Sequence, residues 1–123
     1  MSRIAKIDLE IIEGATFEQS FIWKNHLKQE IDLSDVTAIM QVRESLKADN
    51  VLYELTTSNN KIIIENQTTY KGKYTLKLSA IETKQYSKKS DWEAFYDLQV
   101  TFPNGDVQFI QNGIIRFKTT VTR

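Results

Sequence analysis

The sequence predicts an all-β protein, an antiparallel sandwich of two sheets with one short helical turn. Apolar residues recur at every second position in short runs from Ile4 to Val121, and this period of two is typical of strands with one buried face. Turn residues separate the runs, and no run combines residues that could act together in catalysis. We expect about eight strands, with a small closed barrel as the alternative architecture.

Five strands are predicted in the first half of the chain, at residues 3–12, 16–24, 36–43, 51–56 and 61–65. Gly14 separates the first two, and we expect the second to run antiparallel to the first. In the polar connection that follows them, Ile31 and Leu33 are expected to hold the loop against the core. Three consecutive isoleucines in the fifth strand indicate burial on both of its faces.

The sixth strand is predicted from Tyr74 to Leu78. Ser79 and Glu82 have the spacing of a helix capping box, in which each side chain bonds the other residue's backbone amide. One or two helical turns should therefore follow, ending near Tyr86.

The next predicted strand runs from Ala94 to Val100, with Tyr96 and Leu98 buried and Asp97 and Gln99 on the opposite face. Asn104 and Gly105 favour a tight turn because both residue types readily adopt positive φ angles. The last strand or strand pair is predicted over 107–121, with a bulge at Asn112-Gly113 where the apolar alternation blurs.

Length and composition favour a single domain over residues 1–123. The chain is 41% hydrophobic and 26% charged, near globular averages, and has no cysteine, so packing alone must stabilise it. There is no signal-peptide pattern and no run close to the ~20 apolar residues that span a bilayer. We therefore expect no membrane partner and synthesis in a cytosol-like solvent.

The charges balance, with sixteen basic and sixteen acidic residues, which argues against a nucleic-acid partner. They are unevenly spread along the chain, since residues 1–60 carry a net −4 and residues 61–123 a net +4. This asymmetry could orient docking, although strands from both halves of a β-domain usually interleave.

Residues for chemistry are scarce, so we predict no catalytic residue, no cofactor and no metal site. His26 is the only histidine and lies in a polar loop, where a solvated imidazole is expected. The pairs Asp32–Asp35 and Asp91–Glu93 are weak cation candidates because neither has the spacing of a known metal loop. An enzyme would need carboxylates that converge in a pocket, and the sequence singles out no such pair.

Aromatic and lysine residues interleave between Tyr70 and Trp92, and we take Tyr86, Lys88, Lys89 and Trp92 as the candidate interaction site. Aromatic rings beside lysines can stack sugars or bases, which suggests a carbohydrate-binding or host-receptor-binding module. A core strand with a solvated lysine face explains much of the same pattern. Burial of Tyr86 and Trp92 would remove the main support for sugar binding.

Segments along nearly the whole chain follow the order and spacing of a known family. They are Gly14-Ala15-Thr16-Phe17, Trp23-Lys24, Ile31-Asp32-Leu33-Ser34, Ala38-Ile39-Met40-Gln41-Val42-Arg43, residues 52–56, Tyr74-Thr75-Leu76-Lys77-Leu78-Ser79, Tyr96-Asp97-Leu98 and Val121-Thr122-Arg123. In this order the chain resembles small structural proteins of tailed bacteriophages, related to the N-terminal β-domains of phage baseplate upper proteins. Two positions depart from the family: Ser34-Asp35-Val36 stands where a glycine is usual, and Trp92 and Phe95 make the approach to Tyr96 bulkier.

The resemblance implies an immunoglobulin-like or baseplate-upper-protein-like sandwich without catalytic residues. It implies a virion component, made in the host cytoplasm, that docks in multiple copies onto other virion proteins of the tail, baseplate, neck or head. The family pattern ends where this chain ends, which favours a complete small protein over the anchor of a longer fibre.

Overall fold

The computed structural model describes residues 4–121, and these form nine strands and one helix. The strands are β1 (Ala5–Lys6), β2 (Leu9–Ile12), β3 (Phe17–Ile22), β4 (Thr37–Arg43), β5 (Tyr53–Thr56), β6 (Ile62–Ile64), β7 (Lys73–Leu78), β8 (Trp92–Thr101) and β9 (Val107–Lys118), and the helix is α1 (Ala80–Gln85). The prediction of a mostly β protein is confirmed. Of the predicted segments, residue 3 and residues 122–123 lie outside the described range. No helix in that range is long and apolar enough to cross a membrane.

The larger sheet has the order β1-β9-β8-β4-β5, and β2 also pairs with β9. The β4–β5, β4–β8 and β8–β9 pairs are antiparallel, whereas β1 and β2 run parallel to β9. The first two predicted strands lie in different sheets and do not pair with each other. Gly14, with φ +78°, lies in a turn that carries the chain from β2 in one sheet to β3 in the other.

The smaller sheet has the antiparallel order β3-β7-β6. Ile62 in β6 is buried, but Ile63 is 36% exposed, so the predicted burial of this strand on both faces is wrong. The strand lies at the edge of its sheet, and only its inward face meets the core.

One apolar core lies between the sheets. In β8, Tyr96 and Leu98 are buried, Asp97 is exposed and Gln99 is half-buried, which confirms the predicted alternation. The predicted anchoring of the long polar connection is also confirmed, since Leu33 is fully buried and Ile31 packs against the core.

A register shift in the β8–β9 ladder replaces the predicted bulge at Asn112-Gly113. Leu98 lies opposite Gln111 and Gln99 opposite Phe109, so Ile110 is the extra residue. Because of this insertion, the side chains of Ile110 and Gln111 both point into the core. Gly113 instead lies in regular pairing opposite Tyr96.

Helix α1 begins at the predicted capping box. Ser79 Oγ accepts from the Glu82 amide at 3.2 Å, and the Glu82 carboxylate accepts from the Ser79 amide at 2.9 Å. Tyr86 is the C-cap residue, as expected. The helix connects β7 of the smaller sheet to β8 of the larger one.

Candidate interaction surface

The four predicted site residues lie together between the end of α1 and the start of β8. Tyr86 is only 7% exposed. Its ring centroid lies 3.5 Å from that of Tyr53 and 6.1 Å from that of Phe117, which it meets edge-on. Burial, the largest influence, raises the pKa of Tyr86 to about 12. Tyr86 is therefore a packing residue at one end of the core.

Trp92 is half-buried, and its indole contacts both Phe117 and Lys88. Its ring stacks on Phe117 with centroids 4.2 Å apart and planes 8° apart. Lys88 Nζ lies over the same ring, 4.2 Å from the indole centroid. The indole Nε1 donates to the Tyr86 carbonyl at 3.1 Å. These contacts fasten the α1–β8 connection to the larger sheet.

The two lysines are the outward part of this cluster. Lys88 Nζ also lies 3.7 Å from a carboxylate oxygen of Glu44, with both side chains largely exposed. Lys89 is exposed next to it. A sugar platform needs an open aromatic face, whereas Tyr86 is buried and the Trp92 ring stacks on Phe117 with Lys88 Nζ over it. The carbohydrate-binding interpretation loses its main support.

The candidate cation pairs hold protein partners instead. Asp32 accepts from the amide and hydroxyl of Ser34 at 2.8 and 2.6 Å, and these bonds lower the pKa of its carboxyl. Asp91 accepts from the amide and hydroxyl of Thr119, which lowers its pKa in the same way. Within residues 4–121, no three His, Asp or Glu side chains group closely enough to hold a metal. His26 is exposed in its loop.

A buried chain of hydrogen bonds, which the sequence pattern did not indicate, links the sheets beside the N-terminal segment. The Tyr74 hydroxyl of the smaller sheet donates to Gln111 Oε1. Gln111 Nε2 donates to the Tyr96 hydroxyl at 2.8 Å, and that hydroxyl donates to the Ile7 carbonyl at 2.5 Å. Gln111 shares the inward parity of Ile115 and Phe117 in β9, but nothing in the spacing of the sequence indicated that Tyr74 and Tyr96 would bond its amide.

A groove of about 510 Å³ opens next to these hydrogen bonds, between the N-terminal segment and the end of β3. Phe21, Tyr74 and Lys24 are among the residues that line it, and Ile4 and Ile22 are about half-exposed. Ile4 and Ile22 thus leave apolar surface exposed along this groove.

The charge asymmetry along the sequence does not make two separate faces. The larger sheet combines β1, β2, β4 and β5 from the first half with β8 and β9 from the second, and β3 joins β6 and β7 in the smaller sheet. The expected interleaving of the halves is confirmed. Any charged contact surface is therefore formed by single strands and loops and not by one half of the sequence.

No protein-family model matches this sequence, and no curated protein is significantly similar to it.

Proposed function

We propose that this chain is a non-enzymatic structural protein of a tailed-bacteriophage virion that docks in multiple copies onto other virion proteins. The observation that carries the proposal is the ordered resemblance along the chain, and three of its segments fall within strands. Residues 38–43 fall in β4, 74–78 in β7 and 96–98 in β8. The tail, baseplate, neck and head are the candidate docking partners.

We infer that the two sheets form an immunoglobulin-like sandwich. The neighbours β9-β8-β4-β5 correspond to strands G, F, C and C′ of variable-type domains, and β3-β7-β6 correspond to B, E and D. Scaffolds of this kind are stable without a cofactor and leave their faces and edges available for contacts. This geometry is compatible with a docking role.

The unusual turn at Ser34-Asp35-Val36 supports the resemblance. Asp35 has φ +60°, in the left-handed region where glycine is the most common residue and aspartate is one of the few others tolerated. The Asp32 carboxylate accepts from the Ser34 amide at 2.8 Å and stabilises the turn. Aspartate thus takes the conformation that a glycine would supply.

The experiment is detection of this chain in purified particles, followed by charge reversal at the predicted contact. We expect Lys88→Glu/Lys89→Glu to reduce the amount of the chain per particle while the isolated protein keeps its fold, since surface charges usually change stability by under ~0.5 kcal/mol. Lys89→Glu is the cleaner single variant because Lys88 also contacts Glu44 and Trp92. Lys71→Glu, at an exposed lysine in a different loop, is its matched control.

Absence of the chain from wild-type particles would overturn the virion proposal. Unchanged incorporation of the double variant would overturn only the contact at Lys88 and Lys89.

A further inference from the structure

We propose that two copies of this chain pair through the free edge of β3, antiparallel and about a two-fold axis at Ser20. The pairing would join the smaller sheets of the two copies into one continuous sheet. It rests on the proposed multi-copy function for its biological role, but it is tested on the isolated chain. Its success or failure is therefore separable from that of the virion proposal.

The outer edge of β3 is open. The Trp23 amide bonds the Gly72 carbonyl at 2.9 Å, and in the antiparallel register Phe21 lies opposite Tyr74. Hydrogen-bonding pairs alternate along such a ladder, so the odd-numbered residues of β3 bond β7. The amides and carbonyls of Glu18, Ser20 and Ile22 point away from the sheet, and no described strand pairs with them.

The other described edges are shorter, and one is blocked by a side chain. Asn59 accepts from the outward amide of Thr56 at 2.9 Å and donates to the Glu54 carbonyl at 3.2 Å, so it covers the edge of β5. Edge strands β1, β2 and β6 span two, four and three residues, against six for β3. Long unpaired edges template pairing with another strand, so β3 is the strand best suited to accept one.

The charges at the two ends of β3 favour a second copy of this chain, in antiparallel orientation, as the partner of the open edge. Acidic residues precede or begin the strand, at Glu13 and Glu18, and basic residues follow it, at Lys24 and Lys28. Antiparallel self-pairing places the acidic end of each strand beside the basic end of the other. Parallel self-pairing would place like charges together.

The register follows from the outward hydrogen-bonding residues. A two-fold axis at Ser20 sets this small side chain opposite itself and sets Glu18 opposite Ile22 of the second copy. Glu18 is then diagonal to Lys24 of the second copy, within reach of a long side chain. Ile22, which is 54% exposed, is then partly covered by the Glu18 side chain opposite it. Such a contact is self-complementary and ends at a dimer.

Charge reversal with rescue tests this pairing by sedimentation equilibrium. We expect the wild-type chain to dimerise in a concentration-dependent way. Glu18→Lys and Lys24→Glu should each raise the dimer Kd at least about tenfold, because each substitution changes two symmetry-related contacts. The double variant Glu18→Lys/Lys24→Glu should return the Kd to within about threefold of wild type.

Glu93→Lys is the matched control. Glu93 is an exposed strand glutamate bonded to a cation across the strand pair, Arg116 at 3.1 Å, as Glu18 is to Lys77 at 3.5 Å. It lies in β8, inside the larger sheet, so its reversal should leave the Kd unchanged. Thermal unfolding of each variant checks that the monomer remains folded.

Amide hydrogen exchange supplies a second readout. The amides of Glu18, Ser20 and Ile22 should exchange fast in dilute protein and slow as the dimer forms, whereas those of Gln19 and Phe21 stay protected throughout. A chain that remains monomeric at its highest soluble concentration would overturn the proposal. So would a dimer that neither charge reversal weakens, or one in which the Glu18, Ser20 and Ile22 amides stay fast.

Discussion

The Tyr96 hydroxyl donates a hydrogen bond of 2.5 Å to the main-chain oxygen of Ile7, and this bond ties the break between β1 and β2 to the centre of the larger sheet. The same hydroxyl oxygen accepts from Gln111 Nε2. Tyr96 therefore completes a buried polar chain that reaches Tyr74 in the other sheet. No buried side-chain nitrogen or oxygen in the described residues lacks a partner, so removal of one member leaves another unsatisfied.

Tyr96→Phe should lower the free energy of unfolding by about 2 kcal/mol, because the Ile7 carbonyl loses its donor and Gln111 loses an acceptor. Urea unfolding measures the loss. Tyr70→Phe is the control, since Tyr70 is 52% exposed and its ring contact with Lys73 survives the change. The control should stay within about 0.5 kcal/mol of wild type. Equal losses in both variants would refute a special role for the buried chain.

Gly113→Ala should lower the free energy of unfolding by several kcal/mol, as expected when an extra methyl group is forced into a tightly packed site. A Cβ at position 113 would lie 2.2 Å from the Ile7 oxygen, so the N-terminal segment must move off β9. Amide exchange should show loss of protection in residues 5–12. Gly105→Ala is the comparison, because φ there is +94° but nothing lies within 4 Å. It should cost only about 1 kcal/mol of backbone strain.

Alkaline pH should destabilise the fold from about pH 10 upward. Burial raises the pKa of both Tyr86 and Tyr96 to about 12 and also raises that of Tyr74. Above the ordinary tyrosine value of about 10, the unfolded chain releases these protons while the folded chain retains them. Stability is therefore fully present below about pH 10 and falls as pH rises towards 12. Urea unfolding midpoints at a series of pH values measure this loss of stability. The loss should be smaller in Tyr96→Phe. A midpoint that does not change between about pH 10 and 12 would contradict the prediction.

Trp92→Ala should destabilise the protein by about 2 to 3 kcal/mol, because it removes the stack on Phe117 and the bond to the Tyr86 carbonyl. Trp92→Phe keeps an aromatic ring on Phe117 and should cost only about 1 kcal/mol, the value of one lost hydrogen bond. Chemical unfolding of both variants separates the two contributions. A harmless Trp92→Ala would instead indicate a surface role for this residue.

Ser79→Ala should cost about 1 kcal/mol, because the Glu82 amide loses its cap. The Glu82 carboxylate also forms an ion pair with Lys61 Nζ at 2.7 Å. A substitution of Glu82 would therefore remove this ion pair together with the cap, whereas Ser79→Ala removes only the cap. Ser87→Ala, at an exposed serine just past the other end of α1, is the matched control and should be close to neutral. Thermal unfolding compares the two, and equal midpoints would refute a contribution from the cap.

The strands were predictable because alternation is a local property. A side chain in a strand faces one side or the other with a period of two, so Tyr96 and Leu98 could be placed in the core from their spacing alone. The capping box at Ser79 and Glu82 is equally local, since three residues separate its partners. The candidate site residues Tyr86, Lys88, Lys89 and Trp92 are near neighbours in the sequence, and the structure places them close together.

Tertiary structure decided how those elements pair and which of those side chains face solvent. Alternation states which face a residue occupies but not which strand lies beside it, so β2 could be expected beside β3 and is found beside β9. Tyr86 and Trp92 are covered because Tyr53 and Phe117 come from distant strands, a contact no local pattern encodes. Gln111 can be buried because Tyr74 and Tyr96, from two other strands, bond its side-chain amide. The open edge of β3 exists because β1 and β2 pair elsewhere. Each of these features depends on contacts between segments that are far apart in the sequence. Those contacts form, and contribute free energy, only when the sheets assemble.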